Sequence, residues 1–233
     1  MRRRKVEAPA RRRATSLVRG DVPGSTTRHR AAQRVGDVET SDETRPLESG
    51  LRTFLRRPRP GDEEAFIELA RKSRRLHRSF ARPPETSAAF RAWLGRADLP
   101  TIQIHLLCRR EDDAITGVLN LTEIVRGPLQ TANLGYYVFT PHAGRGYMRE
   151  GVELVLARAF VGLGLHRVEA NVQPSNTASL RLALASGFRC EGYSPRLVLI
   201  AGRWRDHIRF AIDLETWRRR TAPRKLTRTP KKK

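Results

Sequence analysis

Tyr137-Val138-Phe139-Thr140-Pro141-His142-Ala143-Gly144-Arg145-Gly146-Tyr147-Met148 is the stretch on which the reading of this 233-residue chain turns. Thr131–Phe139 has the β-branched and aromatic content of a strand. Pro141 to Gly146 reads as a glycine-bearing turn. From there Met148, Val152, Val155, Leu156, Ala159 and Phe160 recur at helical spacing, which predicts a helix to about Val161. The first N–H groups of such a helix have no internal acceptor and point outward beside the positive end of its dipole. Glycine lets the backbone come close to a ligand there, so the junction suits a phosphate. A plain tight turn asks for the same glycines. The dinucleotide fingerprint needs a third glycine and a P-loop needs Gly-Lys-Ser/Thr; neither is present.

Outward from this junction the pattern is α+β. Toward the N-terminus, Leu51–Arg57 predicts a strand closed by Pro58-Arg59-Pro60-Gly61. Asp62-Glu63-Glu64 then opens a helix with acids at its positive end, and Ala88–Ala97 is a shorter helix after Pro83-Pro84. Alternation from Thr101 to Cys108 marks a strand; Ile115–Val125 is another, turned by Arg126-Gly127-Pro128. Toward the C-terminus come a strand at Arg167–Val172 and a helix opened by Pro174-Ser175-Asn176, running to Ala185 and stopped by Ser186-Gly187. Val198–Ile200 and Arg209–Leu214 read as strands paired around Ala201-Gly202. A mixed sheet covered by helices on both faces accounts for this order.

Charge separates the ends from the middle. The chain carries 46 Lys and Arg against 24 Asp and Glu, a net charge of +22. Residues 1–60 hold 16 basic and 7 acidic residues, and residues 219–233 hold 8 basic and none acidic. The predicted organisation is a disordered basic arm over 1–50, one domain over 51–218 and a disordered basic tail over 219–233. Such arms bind polyanions in a salt-dependent way, which suggests RNA or ribosome contact, or they are solvated tails. No run of about 18 apolar residues suggests a membrane span, and the basic N-terminus lacks the apolar stretch of a secretory signal. Two cysteines, Cys108 and Cys190, make no disulfide framework or structural zinc site, so no metal is expected and a cytoplasmic location is.

Further motifs recur in order around the junction: Gly117-Val118, Val125-Arg126-Gly127, Leu134-Gly135-Tyr136, Gly144-Arg145-Gly146-Tyr147-Met148 with Glu150, and His166-Arg167. Asn171-Val172-Gln173-Pro174-Ser175-Asn176, Gly187-Phe188 and Gly202-Arg203-Trp204-Arg205-Asp206-His207 complete the series. Over residues 51–218 the chain resembles the GNAT superfamily of acetyl-CoA-dependent N-acetyltransferases, and within it the bacterial ribosomal-protein-alanine (Rim-type) branch. The resemblance implies a mostly antiparallel sheet of about 6–7 strands with a V-shaped splay and about four flanking helices. It implies acetyl-CoA as co-substrate, its diphosphate held by the backbone of Gly144, Arg145, Gly146, Tyr147 and Met148. The pantetheine arm is then expected in the splay, along Val138, Phe139, Asn171 and Asn176. Ala143 and Met148 depart from the Gln or Arg and the small residue that the superfamily usually has there.

The expected reaction is direct attack of a neutral amine on the thioester. Ala183 stands where many relatives carry a tyrosine acid, so Ser179, one turn after Asn176, is the candidate to protonate the sulfur. Helix serines also bond their own backbone, and Asn176 also suits an N-cap. Glu123 is the candidate base, with His142 and His105 as lesser ones, and Tyr136, Trp204 and Asp206 are candidates for the acceptor mouth. An α-amine, with pKa near 7.7–8.0, is about one-tenth neutral at pH 7; for lysine only a few parts in ten thousand are. The expected acceptor is therefore a protein or peptide N-terminus, such as that of a ribosomal protein, bound by a monomer or homodimer. A small amine (antibiotic or polyamine), or RNA binding on a non-catalytic scaffold, is the alternative.

Overall fold

The computed structural model describes residues 46–78 and 80–222. Most of the stretches read as basic arms lie outside the described residues. One sheet of eight strands organises the rest: β1 (Glu48–Ser49), β2 (Thr53–Arg56), β3 (Gln103–Arg109), β4 (Ile115–Val125), β5 (Thr131–Val138), β6 (Arg167–Val172), β7 (Arg189–Ile200) and β8 (Arg203–Asp213). Their order across the sheet is β1-β2-β3-β4-β5-β6-β8-β7. Every neighbouring pair is antiparallel except β5 and β6.

Among the described residues six α-helices cover it, more than the four or so expected: α1 (Glu63–Lys72), α2 (Arg74–His77), α3 (Ser87–Leu94), α4 (Tyr147–Ala157), α5 (Thr177–Ala185) and α6 (Leu214–Thr221). Successive residues of β2 and β3 face opposite layers, and both layers are dry, so their strands read as continuous apolar runs. Phe54, Leu106 and Cys108 pack against Phe66 of α1 and Phe90 of α3. Leu55 and Leu107 pack against Val152, Val155 and Leu156 of α4. Phe66 is fully buried, with its ring 5.3 Å from Phe90 and 5.4 Å from Phe139. Removing such a ring from water is worth about 2–3 kcal/mol.

The N-terminal layer is pinned by one buried ion pair. Arg56 Nη1 and Nη2 donate to Asp62 Oδ2 and Oδ1 at 2.8 and 2.7 Å, and Asp62 Oδ2 also accepts from the Arg59 amide at 2.8 Å. Asp62 thus closes the proline turn and starts α1 while neutralising a buried guanidinium.

Three differences from the sequence reading have physical reasons. The strand β1 pairs Glu48 and Ser49 with Leu55 and Phe54, so sheet structure begins inside the stretch read as arm, and the sheet has eight strands rather than 6–7. Two residues are too few to show a period. The β7–β8 hairpin is much longer than Val198–Ile200 and Arg209–Leu214. β7 is an edge strand, largely exposed, interrupted by shifts in register between Cys190 and Gly192 and between Ser194 and Val198; it therefore lacks alternation and tolerates Pro195. Last, α6 runs to Thr221, past the boundary read at residue 218. Asp213 caps it by accepting from the Thr216 amide at 2.7 Å, and Trp217 packs 5.4 Å from Phe160. Among the described residues no helix is long and apolar enough to cross a membrane.

Candidate active site at the splay of the sheet

Parallel pairing between β5 and β6 covers only Thr131–Asn133 against Arg167–Glu169; beyond these residues the strands part. A cleft of about 580 Å³ opens there. Leu134–Val138 of β5 and Asn171–Gln173 at the end of β6 form two sides, the start of α5 a third, and α2 with the turn after it the fourth.

Register decides which backbone groups face the opening. The Phe139 amide bonds Thr116 O at 2.9 Å, so residues 139 and 137 spend their polar groups on β4. Tyr136 and Val138, paired opposite Leu119 and Gly117, turn theirs the other way, toward the splay. This corrects one expectation. Val138 lines the cleft, but the Phe139 side chain is fully buried in the α1–α3 core and its amide is spent, so Phe139 offers nothing to a ligand.

At the end of β5 the chain turns through Thr140–His142 into α4. Gly144 has φ +74° and Gly146, the N-cap of α4, has φ +80°, a region where a β-branched residue is strained. No side chain caps α4. A Cβ at Gly146 would stand 3.3 Å from Arg52 Nη2. Arg52 braces the turn: its guanidinium lies 5.0 Å from the centre of the Tyr147 ring and donates to Arg145 O at 3.2 Å. Glu150 of α4 accepts from the amides of Arg52 and Thr53 at 2.7 and 2.8 Å, tying α4 to the β1–β2 turn. Gly117 is needed for close approach, because a Cβ there would meet Tyr137 O at 2.6 Å and Met148 Cε at 2.7 Å. Gly144 and Met148 line the cleft itself, while Arg145, Gly146 and Tyr147 form the turn at its end.

At the start of α5, Asn176 Oδ1 caps the helix by accepting from the Ser179 amide at 3.2 Å. Ser179 Oγ donates to the Tyr136 hydroxyl at 2.7 Å, and that hydroxyl donates to Ser179 O at 3.3 Å. Burial raises the Tyr136 phenol above its ordinary pKa, with the Ser179 bond working against it. The sequence reading treated Ser179 alone; its phenolic partner comes from a strand 43 residues earlier. Asn171 Nδ2 donates to Asn133 Oδ1 at 3.1 Å, while its own Oδ1 is buried without a partner at the cleft wall.

The other candidates are scattered. Glu123 does not line the cleft. It is exposed, has φ +50° in the irregular end of β4, and accepts from Asn133 Nδ2 at 2.5 Å, at the closed end of the splay. His105 is buried in the sheet against Leu119 O, and burial holds its pKa at about 4. His142 stacks edge-on 6.2 Å from Tyr147, outside the cleft. Trp204 is exposed on the hairpin, and Asp206 holds the Tyr193 hydroxyl and the Arg196 amide there, so neither shapes the cleft. His77 was missed altogether. Its Nε2 lies 2.9 Å from Val138 O, its Nδ1 is buried without a partner, and burial lowers its pKa. A carbonyl only accepts, so Nε2 carries the proton. No sequence period distinguishes this histidine from any other on a short helix.

A GNAT acetyltransferase domain matches residues 52–189. The chain belongs to this family. It is 46% identical over 101 residues to "Probable N-acetyltransferase YjcK" of Bacillus subtilis (strain 168), covering 43% of this chain and 56% of that one. It is 34% identical over 107 residues to "[Ribosomal protein uS5]-alanine N-acetyltransferase" of Escherichia coli (strain K12), covering 46% and 55%. The chain thus spans little more than half the length of these curated relatives. Mycobacterium smegmatis RimJ, solved in complex with CoA-disulfide, superposes with a TM-score of 0.64 at 26% identity, covering 70% of this chain and 82% of that one. The Rim-type likeness read from the motifs holds in both sequence and fold.

The residues present fit the co-substrate of this family. The αL glycine turn leaves the start of α4 uncapped, Tyr136 and Val138 present strand polar groups to the splay, and Asn171 Oδ1 is an acceptor waiting for a donor. Among the described residues no group of three or more His, Cys, Asp or Glu side chains is arranged to hold a metal ion.

Proposed function

We propose that the protein is an N-acetyltransferase that moves the acetyl group of acetyl-CoA to the N-terminal α-amine of a protein, a ribosomal protein being the leading acceptor. One observation carries the reading: the cleft joins an uncapped, glycine-hinged helix start to a serine–tyrosine hydroxyl pair along the strand edge of Tyr136 and Val138, whose Val138 carbonyl is held by His77. Acetyl-CoA supplies an activated acyl group. The amides at the start of α4 hold its diphosphate, helped by the positive end of the helix. Asn171 Oδ1 and the edges of Tyr136 and Val138 orient the pantetheine arm. Ser179, backed by Tyr136, donates to the sulfur as it leaves.

No carboxylate lines the cleft among the described residues. A site without a strong base favours an acceptor that is already partly neutral, and an α-amine is. Solved spermidine N-acetyltransferases share the fold at about 21% identity, which speaks to architecture alone. The basic arms supply a further reading, in which salt-sensitive contact with RNA brings a cytoplasmic enzyme to ribosomal acceptors.

The test is a turnover panel of N-terminal peptides, lysine side chains, polyamines and aminoglycosides, followed by thiol release. α-Amine peptides are expected to react fastest. Turnover confined to small amines overturns the acceptor assignment, and mass spectrometry of protein N-termini from cells with and without the gene identifies the acceptor.

A further inference from the structure

Behind α2 lies a second cavity, of about 810 Å³, between the turn at Pro83–Thr86 and α3. His77, Arg78 and Ala81 line both cavities, so the same short segment is the partition between them. Arg74, Arg78, Arg82 and Arg96 surround the second cavity, against Glu85 as its one carboxylate among the described residues. Glu85 is already taken: Arg74 Nε donates to its Oε2 at 2.7 Å and Arg71 Nε to its carbonyl at 3.0 Å. No ion pair engages Arg78, Arg82 or Arg96 among the described residues. Arg78 is also held at φ +44°, ψ −116°, a conformation that costs energy in a non-glycine residue and that clusters at working sites.

We propose that this second cavity binds an acidic stretch of the acceptor, the carboxylates of the residues just after its amino terminus, on Arg78, Arg82 and Arg96. The inference rests on the peptide-acceptor reading above and narrows it to a substrate class. An amine in the splay lies on one side of the Arg78 partition, and the chain that carries it continues to the other. A peptide suits the cavity better than RNA. Its remaining lining is apolar (Pro83, Pro84, Ala89, Ala92), and the Trp93 ring is spent on Phe66, at 4.8 Å, leaving no free aromatic platform for a base. The same arginines repel polyamines.

All three guanidinium groups are exposed, so each contact is individually weak and screened by salt. Together they are expected to give a preference of about tenfold. The test uses the full chain loaded with CoA and three fluorescent peptides with the same first residue, bearing glutamate, glutamine or lysine at the next four positions. Anisotropy at low salt is expected to show the glutamate peptide bound about tenfold tighter than the lysine one. High salt should erase the difference, and R82E/R96E should reverse it. R203E/R218E, which changes the net charge equally but away from the cavity, should leave the preference in place.

Equal binding of the three peptides overturns the proposal. So does an equal loss in R203E/R218E, which would assign the effect to net charge. An RNA oligomer that displaces the glutamate peptide and is itself weakened by R82E/R96E overturns it in favour of RNA. Binding that follows the prediction without any peptide acetylation sinks the acetyl-transfer reading and leaves this one standing, and the two failures are thereby told apart.

Discussion

The β5–α4 junction and the α2–α3 segment border the same cleft, yet they present different kinds of group to it. At the junction the ligand-facing groups are backbone: strand edges of Tyr136 and Val138, and helix amides behind Gly144 and Gly146. Across the cleft they are side chains, His77 and a set of arginines, on a four-residue helix that ends in strained Arg78. Backbone groups recognise what is constant in every reaction cycle, and they tolerate almost any substitution that preserves φ, ψ and space. Side chains recognise what varies. In the proposed reaction the backbone wall holds the acetyl donor and the side-chain wall faces the acceptor.

The contrast can be broken from either side. The largest effect is expected from Asp62→Ala, which leaves Arg56 buried without its ion-pair partner at the start of α1. Breaking a buried pair costs about 3–5 kcal/mol, read as a lower denaturation midpoint. Gly146→Val attacks the donor wall. Backbone strain at φ +80° and the approach of Arg52 should weaken CoA binding by about 10–100-fold in calorimetry, while circular dichroism stays native. Retained affinity would mean that the glycine turn is only a turn.

Tyr136→Phe and Ser179→Ala probe the seam between the walls. Each is expected to lower kcat about 10-fold or more, and the double variant should lose little beyond the worse single one. Additive losses would show two independent roles.

The smallest effect concerns Glu150. Burial raises its pKa, but the amides of Arg52 and Thr53 win, and the folded value lies below the ordinary 4.5. Its stabilisation is therefore present above pH 4.5 and lost as pH falls below it. Glu150→Gln should cost about 1 kcal/mol in thermal unfolding at pH 7, a gap that narrows toward pH 3. A gap independent of pH would show that the charge does not matter.

The chain order of motifs was enough to place most strands and α4, because local spacing carries helix period, strand alternation and glycine turns. It was also enough, through the family resemblance, to name Gly144, Asn171, Asn176 and Ser179 as candidates, all of which line the cleft. It could not show that Phe139 turns its amide to Thr116, since that depends on which of two alternating hydrogen-bond registers β4 and β5 adopt. Nor could it discount Glu123, whose distance from the cleft follows from where β5 and β6 part.

By itself, then, the sequence determined the family, through its ordered motifs, and the layered sheet and the glycine turn before α4, through local backbone preference. Only the tertiary structure paired Tyr136 with Ser179, set His77 against Val138 O and gathered four arginines around a second cavity. Tyr136 and Ser179 stand 43 residues apart and His77 and Val138 stand 61 apart, and such long-range meetings are set by packing rather than by spacing along the chain.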